Sequence, residues 1–394
     1  MANPIAKLQA DTRNFSKRYQ AIHRFRSGID LSHFTSAYHR IFPRKTSLQD
    51  YHGSAFPRRA DLIFASRTPK RKTTAFREIL WAIARCSHFS NELGNFISIY
   101  ENYQVAIFEN DNQRAINHLQ EIEKNFGKSI LLYQNLIACA YTFSSGSEPL
   151  DYASKVLDEV KSNNVLFILL HYARKRIEGA TLRDKLRAEI TEHVGDSGYE
   201  PYFLAKLLDP IDSSDEALSN LLFLDGQSSI IDYYTSLVQT LQNTVSSQIL
   251  EEGAAALIRH PLKKLYKDVR DKRLVGILIA LGDDIDDTLN IGISERTLAI
   301  EEYTDSQYDK CLIEAKKALL TDPLDISLRL LSCKAAVATG EIPEKPLGLV
   351  GELHESLFNL LSVNDQFFRS AYALLQLSDR FFDHGWAQYL KVAV

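Results

Sequence analysis

The sequence predicts an all-α fold, an α-solenoid of antiparallel helix pairs carrying a basic N-terminal helical region. Three observations lead there. Breakers are scarce, with 17 glycines and 11 prolines in 394 residues, too few for the many turns of a sandwich or barrel. From about residue 91, helical runs of 12 to 16 residues alternate with short polar turns. The first helices of successive pairs begin near Phe96, Ser129 and Val165, an interval of 33 to 36 residues. An interval in that range marks stacked helix pairs, each too small to bury its apolar face except against its neighbours.

Along the chain, residues 1–26 read as a basic amphipathic helix with Ile5, Leu8, Phe15, Tyr19, Ile22 and Phe25 at helical spacing, ended by Gly28. Pro43, Pro57 and Pro69 divide residues 27–74 into short helices and loops. Thr74 is the expected cap of a strongly periodic helix over 75–87, with Phe76, Ile79, Leu80 and Ile83 on one face. The turns of the periodic region fall at 109–112, 126–128, 144–149, 162–164 and 178–180. Residues 199–290 stay helical but lose the interval. One long helix is expected over 228–244 and another over 249–271, which Pro261 should end or kink. Two closing helices, 353–361 and 366–380, complete the chain. The expected divisions are therefore 1–90, 91–208, 209–290 and 291–394.

Tyr133-Gln134-Asn135-Leu136-Ile137-Ala138-Cys139-Ala140-Tyr141 resembles the first-helix signature of tetratricopeptide repeats. Asp111 through Ile116 looks like that family's turn into its second helix, with Ala115 as the small crossing residue. Tyr308 through Pro323 is similar to a complete second helix, and the next first helix, 325–339, meets a glycine at Gly340 where the family commonly has one. The family's first-helix glycine is replaced by Ile137 and Ala299, so the repeats are degenerate. Small residues belong at these places because two helices approach to about 8–10 Å only across short side chains. The resemblance implies a concave groove that binds a protein or peptide. In its register the first repeats would line that groove with Tyr100, Glu101, Gln104, Gln134, Asn135, Tyr172 and Arg176, Asn135 standing at the position that contacts peptide backbone.

The net charge of −4 hides a polarity. Residues 1–90 carry 17 basic against 5 acidic side chains, leaving 29 basic and 45 acidic in the remainder. Arg58, Arg59, Arg67, Lys70, Arg71 and Lys72, interleaved with Phe42, Tyr51, Phe56 and Phe64, form a basic patch. It suits a phosphate backbone with stacked bases, an acidic protein surface, or a merely solvated face. A nucleic-acid-associated regulator is thus the alternative to an interaction scaffold.

No phosphate loop, dinucleotide turn, nucleophile elbow or metalloprotease helix is present. Asp283-Asp284-Ile285-Asp286-Asp287 matches the acidic pattern that all-helical prenyl-transferring enzymes use for magnesium, but no second acidic helix accompanies it. Acidic residues after Gly282 also suit the start of a helix. The eleven histidines are scattered, and Cys86, Cys139, Cys311 and Cys333 are spaced for neither a disulfide framework nor a zinc site. The expectation is a non-enzymatic cytoplasmic protein with no cofactor and no bound metal. Neither a secretory leader at the first residues nor an apolar run of the ~20 residues that span a bilayer is expected.

Overall fold

The computed structural model describes residues 15–340 apart from 29, 65–72, 109–110, 145, 179–182, 196–198, 209–213, 247–251, 284–292 and 322–324. The first fourteen residues of the helix expected over 1–26, and the two closing helices, lie outside the described residues. Every regular element among the described residues is helical. In chain order these are α1 (Phe15–Gly28), α2 (Phe34–Ile41), α3 (Lys45–His52), α4 (Ala75–Ser87), α5 (Ser90–Phe108), α6 (Asn112–Phe126), α7 (Ile130–Phe143), α8 (Glu148–Val160) and α9 (Asn164–Glu178). They continue as α10 (Arg183–Val194), α11 (Glu200–Leu207), α12 (Asp215–Asp225), α13 (Ile230–Ser246), α14 (Glu252–Val269), α15 (Lys272–Ala280), α16 (Ile293–Thr304), α17 (Tyr308–Thr321) and α18 (Ile326–Thr339). No described helix is long and apolar enough to cross a membrane.

Helices α5 to α9 pack on their sequence neighbours, as stacked helix pairs do. Their ends fall at the expected turns, because the polar residues there cap them: Asp111 accepts from the Arg114 amide and Ser129 from the Leu132 amide. Ala115 and Ala138 are buried where the helices cross. One start differs from expectation. Helix α5 begins at Ser90, six residues before Phe96, and runs straight through Gly94. That glycine is not a breaker: a Cβ there would lie 3.0 Å from the Asp268 carbonyl oxygen of α14, so the bare backbone permits that approach. Pro261 likewise does not end its helix, which continues to Val269 with Leu262 and Leu265 buried. Burial of that apolar stripe outweighs the lost backbone bond.

A second arrangement surrounds α4. Ten of its thirteen residues are buried, on every side rather than along one stripe. Helices α1, α2, α5, α12, α13 and α14 all pack against it. Residues 1–90 and 209–290, divided in the sequence reading, share one hydrophobic core here. Thr74 starts α4 as expected, yet its side chain makes no cap bond. Asp215 of α12 accepts from the Ala75 amide instead, at 2.8 Å. A smaller core unites α16 to α18 around Ala299, Cys311, Ala315 and Ala318. Asp325 caps α18 through the Leu328 amide, and Gly340 ends it in the left-handed conformation.

Trp81 of α4 sits among Phe34, Tyr38, Phe42, Tyr51 and His52, with ring centroids 4.7–6.2 Å away. The Arg26 guanidinium lies 4.6 Å from the Trp81 ring and forms a buried ion pair with Glu78. Burial disfavours the Arg26 cation, but Glu78, Tyr51 and Tyr233 together outweigh that and raise its pKa above the ordinary arginine value. Thr73 completes the carboxylate's shell through its amide (2.8 Å) and hydroxyl (2.7 Å). Arg85 is buried close by without a carboxylate. It donates to the Gly226 carbonyl at 2.7 Å, where the negative end of α12 and the Tyr233 ring, 4.9 Å away, offset its charge. Burial still pulls its pKa below the usual value.

Two changes test this packing. Glu78→Ala strands the buried Arg26 guanidinium and should lower unfolding free energy by about 3–5 kcal/mol. The paired change Arg26→Met with Glu78→Leu should lose less, measured by urea denaturation. At the α6–α7 corner, Gly127 has φ +76° and a Cβ there would fall 2.3 Å from the Pro57 carbonyl oxygen. Gly127→Ala should therefore cost at least about 2 kcal/mol. Gly146→Ala, with φ +67° but open space around it, should cost only about 1 kcal/mol.

Candidate interaction surface

The residues expected in a concave groove are mostly interior. Tyr100, Gln134, Asn135, Tyr172 and Arg176 are buried, and Gln104 and Glu101 are half-buried. Tyr100 stacks between Phe96 and Tyr103. Asn135 turns its amide back to the Leu131 carbonyl, 2.8 Å away on its own helix. The Tyr172 hydroxyl contacts His193 and donates to the Glu189 carbonyl at 3.2 Å, and Arg176 donates to the Leu207 carbonyl. The physical reason is coverage by later helices. Helix α14 packs on α5, while α10 and α11 pack on α9. At Tyr100, Tyr172 and Arg176 the side that would face a peptide is packed against this chain's own later helices.

The basic patch divides. Arg67, Lys70, Arg71 and Lys72 lie outside the described residues. Arg59 is exposed and paired with Asp61. Arg58 donates to the Lys124 carbonyl at 2.6 Å at the C-terminal end of α6, where a cation is favoured. Arg58, Lys124 and Lys128 border an open cleft of about 300 Å³ together with Glu123. Lys128 is taken up by Glu123 at 2.7 Å and Glu159 at 2.9 Å. Phe42 and Tyr51 are core residues and Phe56 and Phe64 are half-buried, so Phe42 and Tyr51 offer no face for a base to stack on. Phe42 and Tyr51 anchor the N-terminal segment to Trp81 of α4, while Phe56 packs on Phe89 and Phe126 and Phe64 on Tyr202.

Of the acidic cluster only Asp283 is described, and it pairs with Lys263 at 2.8 Å. Among the described residues no three His, Cys, Asp or Glu side chains converge as a metal site. All four cysteines are buried, and none forms a disulfide. Burial pushes the thiols of Cys86, Cys139 and Cys333 up to about 12, which leaves them protonated.

One polar constellation was not anticipated. Along α13 and the residue pair before it, Ser228, Asp232, Ser236, Thr240 and Thr244 recur every fourth position, and all are buried. That spacing draws a single line along a helix. Asp232 accepts from the Ile130 and Leu131 amides at 3.0 and 2.9 Å, capping α7 from a distance of 101 residues in sequence. Ser236 and the Lys206 ammonium both bond Asp225, which also receives the Tyr202 hydroxyl at 2.6 Å. Tyr234, midway between Asp232 and Ser236 in sequence and therefore on the other side of α13, donates to Asp271 at 2.8 Å. The Lys206–Ser236 contact of 2.8 Å has the residue types of a nucleophile and its base, but Ser236 is wholly buried and serves to tie α11, α12 and α13. The signal was legible: α13 holds one charged residue in seventeen, the composition of a helix buried all round.

What remains outward on the stacked helices is apolar in places. Leu150 and Tyr152 of α8 and Phe167 of α9 are exposed, 46%, 38% and 36% of their surface being accessible. Ile313 and Leu320, two turns apart on α17, are exposed as well. No family model, curated protein or solved structure matches the chain. The likeness to tetratricopeptide repeats rests on the residues quoted for it.

Proposed function

We propose that this chain is a helical-repeat interaction protein, a scaffold, adaptor or regulatory sensor that holds a protein or peptide partner. The observation that carries the reading is the exposure of Leu150, Tyr152 and Phe167 on consecutive helices of the sequentially packed region. Large apolar side chains left in water on a rigid helical array are the usual anchors of a protein contact. The partner would meet this outer surface, since the residues first expected to line an inner groove are enclosed. A reducing, cytoplasmic setting fits four buried thiols without a disulfide.

Replacing an exposed side chain leaves stability within about 0.5 kcal/mol, so the reading is testable without unfolding the protein. Affinity purification with crosslinking from the native host should recover a protein in fixed proportion to the wild-type chain. Leu150→Asp and Phe167→Asp should each weaken that recovery at least about tenfold, the effect of removing an anchor worth about 1.4 kcal/mol or more. Equal recovery with all three chains, or recovery of nucleic acid alone, would overturn the proposal.

A further inference from the structure

A histidine pair joins the N-terminal helices to the centre of the fold. His39 of α2 and His88, at the corner between α4 and α5, place Nδ1 and Nε2 3.1 Å apart, with ring centroids at 4.8 Å. At that distance one imidazole must donate and the other accept, so at least one ring nitrogen of the pair is unprotonated. The groups around the pair are mainly cationic. Lys45 of α3 and Lys264 of α14 act on it, and Lys45 also pairs with one carboxylate oxygen of Glu92 on α5. The Tyr38 ring closes another side, 5.9 Å from His88.

We propose that His39 and His88 form a proton-operated latch that holds α2 against the α4–α5 corner and releases it when both rings are protonated. A first proton can still be shared along the Nδ1–Nε2 line. A second sets two N–H groups against each other beside two lysines. Burial first, and the neighbouring cations second, lower the pKa of both rings, that of His88 to about 4. Because the folded value lies below the ordinary 6.5, the unfolded or released state binds more protons in that window. The latch is therefore intact above about pH 6.5 and is lost as pH falls toward 4.

Trp81 reports on the release, since Phe34, Tyr38 and Phe42 of the α2 region pack on its ring. In a Trp386→Phe background Trp81 is the sole tryptophan. Its emission should shift to the red with a midpoint between pH 6.5 and 4. Amide exchange in α2, corrected for its intrinsic pH dependence, should rise at least about tenfold over the same range while α7 stays protected. The double variant His39→Gln/His88→Gln should lose the transition. The same transition in that variant, or its absence from the parent, would overturn the latch. Should the variant fail to fold, an NMR titration of the parent decides. Resonances of both rings moving at or above pH 6.5 count against the latch, and resonances moving below pH 6 together with α2 exchange support it.

Discussion

The enclosure of α4 is the constraint on which the rest of the structure depends. A helix buried on all sides must find apolar neighbours around its whole circumference, and it must settle every charge it takes inside. Helix α4 carries Glu78 and Arg85 into that interior, and α1 adds Arg26. Glu78 answers Arg26, while Arg85 is answered by the carbonyl end of α12 and the face of Tyr233. Breaking such an arrangement is far more damaging than replacing it whole. The N-terminal segment and the middle of the chain are therefore bound to each other through α4, however far apart they stand in sequence.

That enclosure also changes what the stacked helices can offer a partner. An open array of helix pairs exposes an inner face, but α14 lies along α5, and α10 and α11 lie along α9. The polar line on α13 extends the same theme. Asp232 caps α7, Ser236 joins Asp225 and Lys206, and Tyr234 reaches the Asp271 cap of α15. Each of these bonds fixes the rotation of α13 against another helix, which apolar contacts alone specify poorly. On the stacked helices Leu150, Tyr152 and Phe167 remain in water.

The basic character of residues 1–90 takes on a different meaning in this setting. Its arginines are used in several ways: Arg26 inside the core, Arg58 at a helix C-terminus and Arg59 in a local pair with Asp61. Of the intervening aromatics, Phe42 and Tyr51 pack on Trp81, and Phe56 and Phe64 on other rings. A charge count sees a patch, but the side chains are dispersed among unrelated environments, so the sum of charge overstates the field at any one place on the described surface.

The amino-acid sequence alone determined the helices and most of their ends, because those depend on near neighbours: apolar spacing, capping by Asp111, Ser129 and Asp325, and the glycine at 340. It placed the start of α5 near Phe96 and left open whether Pro261 ends or kinks its helix, because the close approach at Gly94 and the buried stripe past Pro261 depend on neighbouring helices rather than on local backbone preference. It named Tyr100, Asn135 and Tyr172 as surface residues because a repeat register says which face of a pair is inner, not whether that face is covered. Coverage is decided only in three dimensions, where α10, α11 and α14 compete with solvent for the same apolar surface and the gain of burial settles the contest.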